Sequence, residues 1–412
     1  MKSQPAGESC LHPAPRTVPI RGLLLLVLFF PALLFYGKLA SSTALGTALV
    51  ACVAIVVCSI FDPPIRFRAQ AGKVIAITVA VILAHLAVAA VFTPIDFGRA
   101  FGSLFILCLC LAGSAALADL LATVAKDDLL KVARLCMGAF WLIGLLGCLG
   151  WAQIAGGDYS KSVFPFTEPS QLGITLAPIL IFACVTSAGT RRLFYICSFF
   201  AFAVVLQNVT LIVTCLIATA VCIRLRYVLV LLALLIPMLL KADLGYYLDR
   251  LDFSDQNQNL SALVFVQGWQ FIGEAWARTH GLGYGFQQLG TTESNSAAGQ
   301  LIYALIGFDL NVFDGGFNFS KLVSEGGLLG LLLGVIYTIK AATALVFLRR
   351  VARGRRDADV LATFSASMIA GYLLEMFIRG QGYFSPAGLL LMTSIWMRQS
   401  AKAQTLRCSD AA

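Results

Sequence analysis

The fold class predicted is an all-α polytopic membrane protein of about twelve transmembrane helices, with one large extracytoplasmic loop between helices 9 and 10. Three observations predict it. The 412 residues are 59% hydrophobic and 12% charged, with mean hydropathy +0.85, where a soluble domain carries about a quarter charged residues. Apolar stretches of spanning length recur from end to end. Strand alternation is absent, which argues against a barrel.

The elements follow in order. Residues 1–20 form a polar, basic tail, and the apolar run after it lacks a small-residue cleavage pattern, so it reads as a retained first span. Spans 1–9 occupy 21–241, at 21–36, 39–61, 74–93, 100–123, 135–155, 170–188, 193–207, 209–223 and 227–241. The seventh and eighth are joined by the very short LQNVTL. Residues 242–317 are the large loop; spans 10–12 lie within 318–398, at 318–340, 359–378 and 386–398, and 399–412 is a tail.

The net charge of +9 follows from this layout. Twenty-one Lys and Arg fall on one set of alternate connections and eight on the other. The positive-inside rule puts both termini in the cytoplasm, and no nucleic-acid partner is needed to explain the charge. The twelve cysteines lie mostly in apolar runs and read as small hydrophobes. With three histidines and no clustered His/Asp spacing, no metal site is read, and no cofactor. His85, inside the third span, reads as a satisfied interior histidine.

The loop is too long for a plain connection. In LSALVFVQGWQFIGEAWARTH, Phe265, Trp269, Ile272 and Trp276 share one helical face. Such a face either rests at headgroup level or packs on the bundle. QLIYALIGFDLNVF forms a second short amphipathic helix, and HGLGYG is a glycine-dense turn without the strand-and-helix context of a nucleotide fingerprint. From 241 to 317 there are eight acids and only three bases, Lys241, Arg250 and Arg278.

Two pairs of ionisable residues mark span ends at i, i+4 spacing, Glu375 with Arg379 and Lys321 with Glu325, and each pairs locally. A further carboxylate stands in FPFTEPSQLG, 164–173. Pro169 keeps Glu168 out of helical geometry and starts the next helix, with Ser170 capping it. Glu168 is either a functional acid at the mouth of a span or one that satisfies the helix dipole.

These motifs carry a resemblance. FPFTEPSQLG resembles the outer-loop EPS stretch of bacterial Wzy-type O-antigen and capsular polysaccharide polymerases, in the O-antigen ligase and polymerase superfamily. Arg250, Ser261, Trp269 and HGLGYG are similar to that family's large outer loop; FNFSKLVSEGGLLGLLLG is similar to the span after it, and RGQGYFSP to its last short loop. The ligases usually carry His before the Asn of that span, where this chain has Phe317-Asn318.

The resemblance implies a metal-independent glycosyltransferase of the bacterial inner membrane, with its active site facing the periplasm. It implies a polyprenyl-diphosphate-linked oligosaccharide as donor and another as acceptor, with a flippase and a chain-length regulator as pathway partners. Arg250, Arg278 and Arg379 are then the groups that hold the diphosphate. Glu168 and His280 are candidate bases for the acceptor hydroxyl. Ser170, Tyr284, Trp269 and Trp276 are candidate contacts to sugar or lipid. Two other functions fit the layout: a ligase moving glycan to lipid A core or protein, and a transporter or flippase.

Overall fold

The apolar runs fold as helices. A computed structural model of the protein describes residues 20–61, 66–151, 162–223, 258–292, 294–354 and 359–410. In order these hold α1 (Ile20–Tyr36), α2 (Thr43–Phe61), α3 (Arg66–Ala89), α4 (Phe97–Thr123), α5 (Lys126–Cys148), α6 (Pro169–Thr186) and α7 (Gly189–Val205). Then follow α8 (Val209–Cys222), α9 (Leu260–Thr279), α10 (Ala297–Ile306), α11 (Asn318–Ala352), α12 (Val360–Gly371), α13 (Leu373–Phe377) and α14 (Pro386–Asp410). Among the described residues no strand forms; a single isolated bridge pairs Val163 with Phe166.

Among the described residues seven segments are long and apolar enough to cross a bilayer: those in α2, α3, α4, α5, α6 and α11, and the stretch made by α12 and α13. The runs on either side of LQNVTL do form helices, α7 and α8, of 17 and 14 residues. At 1.5 Å per residue these are roughly 26 and 21 Å long, short of the ~30 Å hydrocarbon core. The expected span at 227–241 lies outside the described residues.

α6 is the centre of the bundle. Every residue from Leu172 to Val185 is buried, against α5, α7, α8, α11 and α12. Its sequence, PSQLGITLAPILIFACVT, is apolar all round, as a helix enclosed by other helices requires. Lipid gives helices no hydrophobic reason to associate, so close contact depends on small residues. A Cβ on Gly173 would sit 2.9 Å from Leu211 N, and one on Gly371 would sit 2.5 Å from Pro178 N. The outward faces stay apolar: Leu328, Leu332, Ile336 and Ile339 of α11 are exposed, which suits hydrocarbon rather than water.

Several elements differ from their expected bounds: α3 starts at Arg66 rather than 74, α5 at Lys126 rather than 135, and α14 runs past 398 to Asp410. α11 continues past 340 to Ala352, because Ala341, Ala344 and Leu348 keep one buried face at helical spacing while Lys340 points to the exposed side. The second loop helix begins at Ala297, where Ser296 Oγ accepts from Gly299 N, and stops at Gly307 with φ 77°.

Side chains from neighbouring parts of the chain bond to the backbone at each end of α6. At its start, Asn208 Nδ2 donates to Pro169 O at 2.5 Å. At its end, Arg192 Nε donates to the carbonyls of Cys184 and Ser187 at 2.8 and 3.0 Å.

Candidate functional site

The site begins at the N-terminus of α6. Val163 and Phe166 exchange backbone hydrogen bonds of 3.0 and 2.7 Å, and both are buried. This tight turn fixes where the chain enters the helix. Glu168 is extended at φ −132°, ψ 144°, and Pro169 is the first helical residue, as proline's fixed φ and missing N–H favour. The Glu168 carboxylate makes no bond to the helix end, so capping does not occupy it. Ser170 does not cap either; its hydroxyl donates to Glu168 Oε2 at 3.0 Å.

Arg379 reaches the same carboxylate. Its Nη2 lies 3.0 Å from Glu168 Oε2 and 3.4 Å from Oε1. The expected pairing of Arg379 with Glu375 does not form. α13 ends at Phe377, so the i, i+4 spacing runs past the helix end and the two side chains diverge. Arg379 is held by its backbone: its N–H donates to Leu374 O at 2.9 Å, and the next N–H, of Gly380, to Gly316 O at 2.8 Å.

Behind this loop is a buried polar cluster that sequence reasoning passed over. Asn318 Nδ2 donates to Tyr372 Oη at 2.7 Å, Gly382 O at 3.1 Å and Glu375 Oε2 at 3.3 Å. Ser385 Oγ donates to Glu375 Oε2 at 2.6 Å. The cluster ties the start of α11 to the segment that carries Arg379. Its signals in sequence were the polar Asn318 between two phenylalanines at the head of an apolar run and Glu375 near a span end, whose spacing points to Arg379 instead.

Glu168, Ser170 and Arg379 line a cavity of about 470 Å³. Asn208, Ser261 and Gly316 join them from three other parts of the chain, and Val209, Val213, Val264, Phe265, Leu310 and Phe377 supply apolar wall. The hollow thus has a charged mouth and an apolar body. The Glu168 side chain is 50% exposed and that of Arg379 20%, so their attraction is screened and worth at most about 1 kcal/mol.

The remaining candidates lie elsewhere. Arg250 is outside the described residues. Arg278, in the last turn of α9, does not line this cavity. Neither does His280, an exposed residue that ends α9 in the left-handed region at φ 51°; its ring meets Phe92 edge-on at 6.3 Å. Trp269 packs on Phe317 at 5.2 Å and Phe319 at 6.1 Å, and it and Trp276 stay partly exposed. The buried stripe of α9 is instead Val264, Gln267, Gly268, Phe271 and Ala275. His85 is satisfied, with Nε2 2.8 Å from Leu282 O.

The glycine turn has a structural partner. α11 is broken at Gly327, φ 55°, ψ −131°, and the turn docks into the break. Tyr284 N and Gly285 N donate to Ser324 O and Glu325 O, both at 2.9 Å, and Leu328 N donates to Gly281 O at 2.8 Å. A Cβ on Gly283 would lie 2.4 Å from Gly327 N. Beside the break, Lys321 and Glu325 pair at 3.4 Å as expected, both almost fully buried. Tyr383 Oη donates to Glu325 Oε2 at 2.8 Å, and Lys321 Nζ donates to Phe313 O.

No family model, curated protein or solved structure matches this chain. The geometry therefore carries the functional argument. It can bind an anion through Arg379, accept a proton at Glu168 and house an apolar or amphipathic group in the hollow beside them.

Proposed function

We propose that this chain is a membrane-embedded glycosyltransferase that polymerises polyprenyl-diphosphate-linked oligosaccharides into surface polysaccharide. In this reading twelve spans cross the bacterial inner membrane, both termini are cytoplasmic, and Glu168 and Arg379 face the periplasm. The observation that carries it is the Glu168–Arg379 pair at the mouth of a half-apolar cavity.

The chemistry follows from the pair's weakness. A screened ion pair exchanges partners at little cost. The diphosphate of a donor, with more charge and more acceptor oxygens, competes for the Arg379 guanidinium, whose planar fork matches phosphate oxygens. Arg379 then leaves Glu168, and the freed carboxylate is open to the acceptor hydroxyl. The acceptor hydroxyl oxygen bonds to the anomeric carbon of the donor. The bond from that carbon to the lipid diphosphate breaks, the diphosphate leaves with the electron pair, and the hydroxyl proton passes to Glu168. Arg379 stabilises the charge that develops on the leaving group. Phe265 and Phe377, with the valines, offer apolar surface to the lipid chain.

A transporter reading draws on the broken α11 and its buried charges, since broken helices line substrate sites in transporters. Here the groups freed at the break are bonded by the glycine turn and the charges are paired, so the break has a structural explanation. The deciding experiment is reconstitution of purified protein with the host's lipid-linked repeat unit. Polymer formation that fails with Arg379→Ala supports transfer. Movement of the unit across the bilayer without polymer would replace this reading with a flippase.

A further inference from the structure

A second cavity, of about 460 Å³, lies along the middle of α9. Its size falls within the range of ligand sites, roughly 300–1,000 Å³, and the transfer chemistry above leaves it without a role. Its wall is built of amides and hydroxyls: Gln267 from α9, Gln288 and Thr291 after the glycine turn, Ser296 and Gln300 at the start of α10. Glu274 and Asp309 add carboxylates, and Phe271, Tyr284 and Tyr303 add rings. No Lys, Arg or His among the described residues lines it.

That composition selects a ligand class. Without a cation the cavity is unsuited to phosphate or another anion. Groups of three or more metal-ligating side chains are absent among the described residues, so a metal ion is not favoured. A polyhydroxylated neutral ligand is. Each sugar hydroxyl both donates and accepts, and side-chain amides and hydroxyls answer both needs. Aromatic rings offer a face to the apolar side of a pyranose.

One atom asks for such a ligand. Gln267 is 1% exposed, and its Oε1 has no hydrogen-bond donor among the described residues. A buried acceptor left unbonded costs about 1–3 kcal/mol; Gln267 lines the cavity, and a turn of its amide toward the hollow would let a ligand hydroxyl donate to it.

The position is also informative. Ser261, Val264 and Phe265 near the start of α9 line the Glu168–Arg379 cavity, and Gln267, Phe271 and Glu274 further along the helix line this one. Leu310 lines the first hollow, Asp309 and Val312 the second. The two therefore adjoin, one with a guanidinium and one without any cation.

We propose that the second cavity is a saccharide subsite, holding an uncharged stretch of glycan away from the reacting bond. It rests on the transferase reading for its biological purpose, and its binding chemistry is testable separately. Full-length protein in labelled lipid nanodiscs would be screened on an array of immobilised bacterial surface oligosaccharides. Three forms are compared: wild type, Arg379→Ala and the double variant Gln300→Ala/Tyr303→Ala. Tyr303 is 56% exposed and Gln300 is exposed, so the double variant should fold, which its melting temperature checks.

The expected result is binding of at least one neutral oligosaccharide, retained by Arg379→Ala and weakened roughly tenfold or more, about 1.4 kcal/mol, in the double variant. Absence of binding to every oligosaccharide, or equal binding by the double variant, overturns the proposal. Binding that needs Tyr303 and Gln300, in a protein that forms no polymer on reconstitution, would retain the saccharide site and remove the transferase.

Discussion

The Arg379 guanidinium lies 3.0 Å from the Glu168 carboxylate, joining residues 211 positions apart. Each arrives by its own backbone: Glu168 ahead of the proline that starts the central helix, Arg379 on a loop bonded to Gly316 and Leu374. Neither side chain fills a packing position, since both retain solvent contact. A pair placed so carefully and bound so weakly is arranged for exchange of partners.

Arg379→Ala should therefore separate activity from stability. Loss of one charge-stabilising donor costs roughly 10²–10³ in rate, whereas loss of a screened pair costs at most about 1 kcal/mol. Arg379→Lys keeps the charge without the fork and should recover only part of the rate. The measurements are polymer formed per minute by reconstituted protein and melting temperature in the same lipid. A large fall in melting temperature with Arg379→Ala would make the residue structural.

Glu168→Gln tests the proton acceptor. Its amide still accepts from Ser170 and Arg379, so folding should be kept, while removal of a positioned base lowers the rate roughly 10²–10⁴-fold. Combined with Arg379→Ala, the loss should fall short of the product of the two, because both groups act in one step. Strict multiplication of the two effects in transfer assays would argue that they work independently.

His280→Gly tests the other base that sequence placed in this role. His280 holds φ 51°, a conformation glycine adopts without the roughly 1–2 kcal/mol strain of other residues. Its imidazole is exposed and outside the cavity of Glu168. The substitution should leave transfer essentially unchanged and raise the melting temperature slightly. A drop in rate comparable to that of Glu168→Gln would return His280 to the chemistry.

These contrasts show what was legible in the chain. Apolar runs announce helices because burial and backbone satisfaction in lipid leave few alternatives, and EPS announces a helix start through proline's geometry. The partner of Glu168 was not legible, since nothing local distinguishes Arg379 from Arg278. The two-part α11 was hidden because SEGGLLGLLLG reads as one continuous apolar stretch. HGLGYG was visible as a motif, yet its meaning lies in Gly327, some forty positions on, which receives it. Asn318 and Asn208 looked incidental, and each proves to be a buried junction between helices.

Lys321→Met should destabilise the fold strongly. It leaves Glu325 charged, almost fully buried and without its cation, a change that costs about 3–5 kcal/mol. Adding Glu325→Gln removes the orphan charge while keeping an acceptor for Tyr383, so the double variant should regain most of the loss. Thermal unfolding of the three proteins in one detergent measures this. A double variant no better than Lys321→Met would show that the Lys321 bond to Phe313, rather than the ion pair, holds the region.

The adjacent glycines of SEGG should respond in opposite ways to alanine. Gly327 has φ 55°, and a Cβ there would meet Gly281 O at 2.1 Å. Both the backbone conformation and the contact oppose a side chain, and together they cost about 3–5 kcal/mol. The clash is with backbone of the docked glycine turn, so no rotamer relieves it. Gly326 meets nothing within 4 Å and lies in helix, where alanine is favoured over glycine by up to about 1 kcal/mol. Gly327→Ala should therefore lower the melting temperature sharply and loosen the 281–285 turn, read as faster amide exchange at Tyr284 and Gly285, whose N–H groups bond to Ser324 and Glu325. Gly326→Ala should leave exchange there unchanged and raise the melting temperature slightly. Equal behaviour of the two variants would mean that α11 runs unbroken through this point and that the glycine turn docks elsewhere.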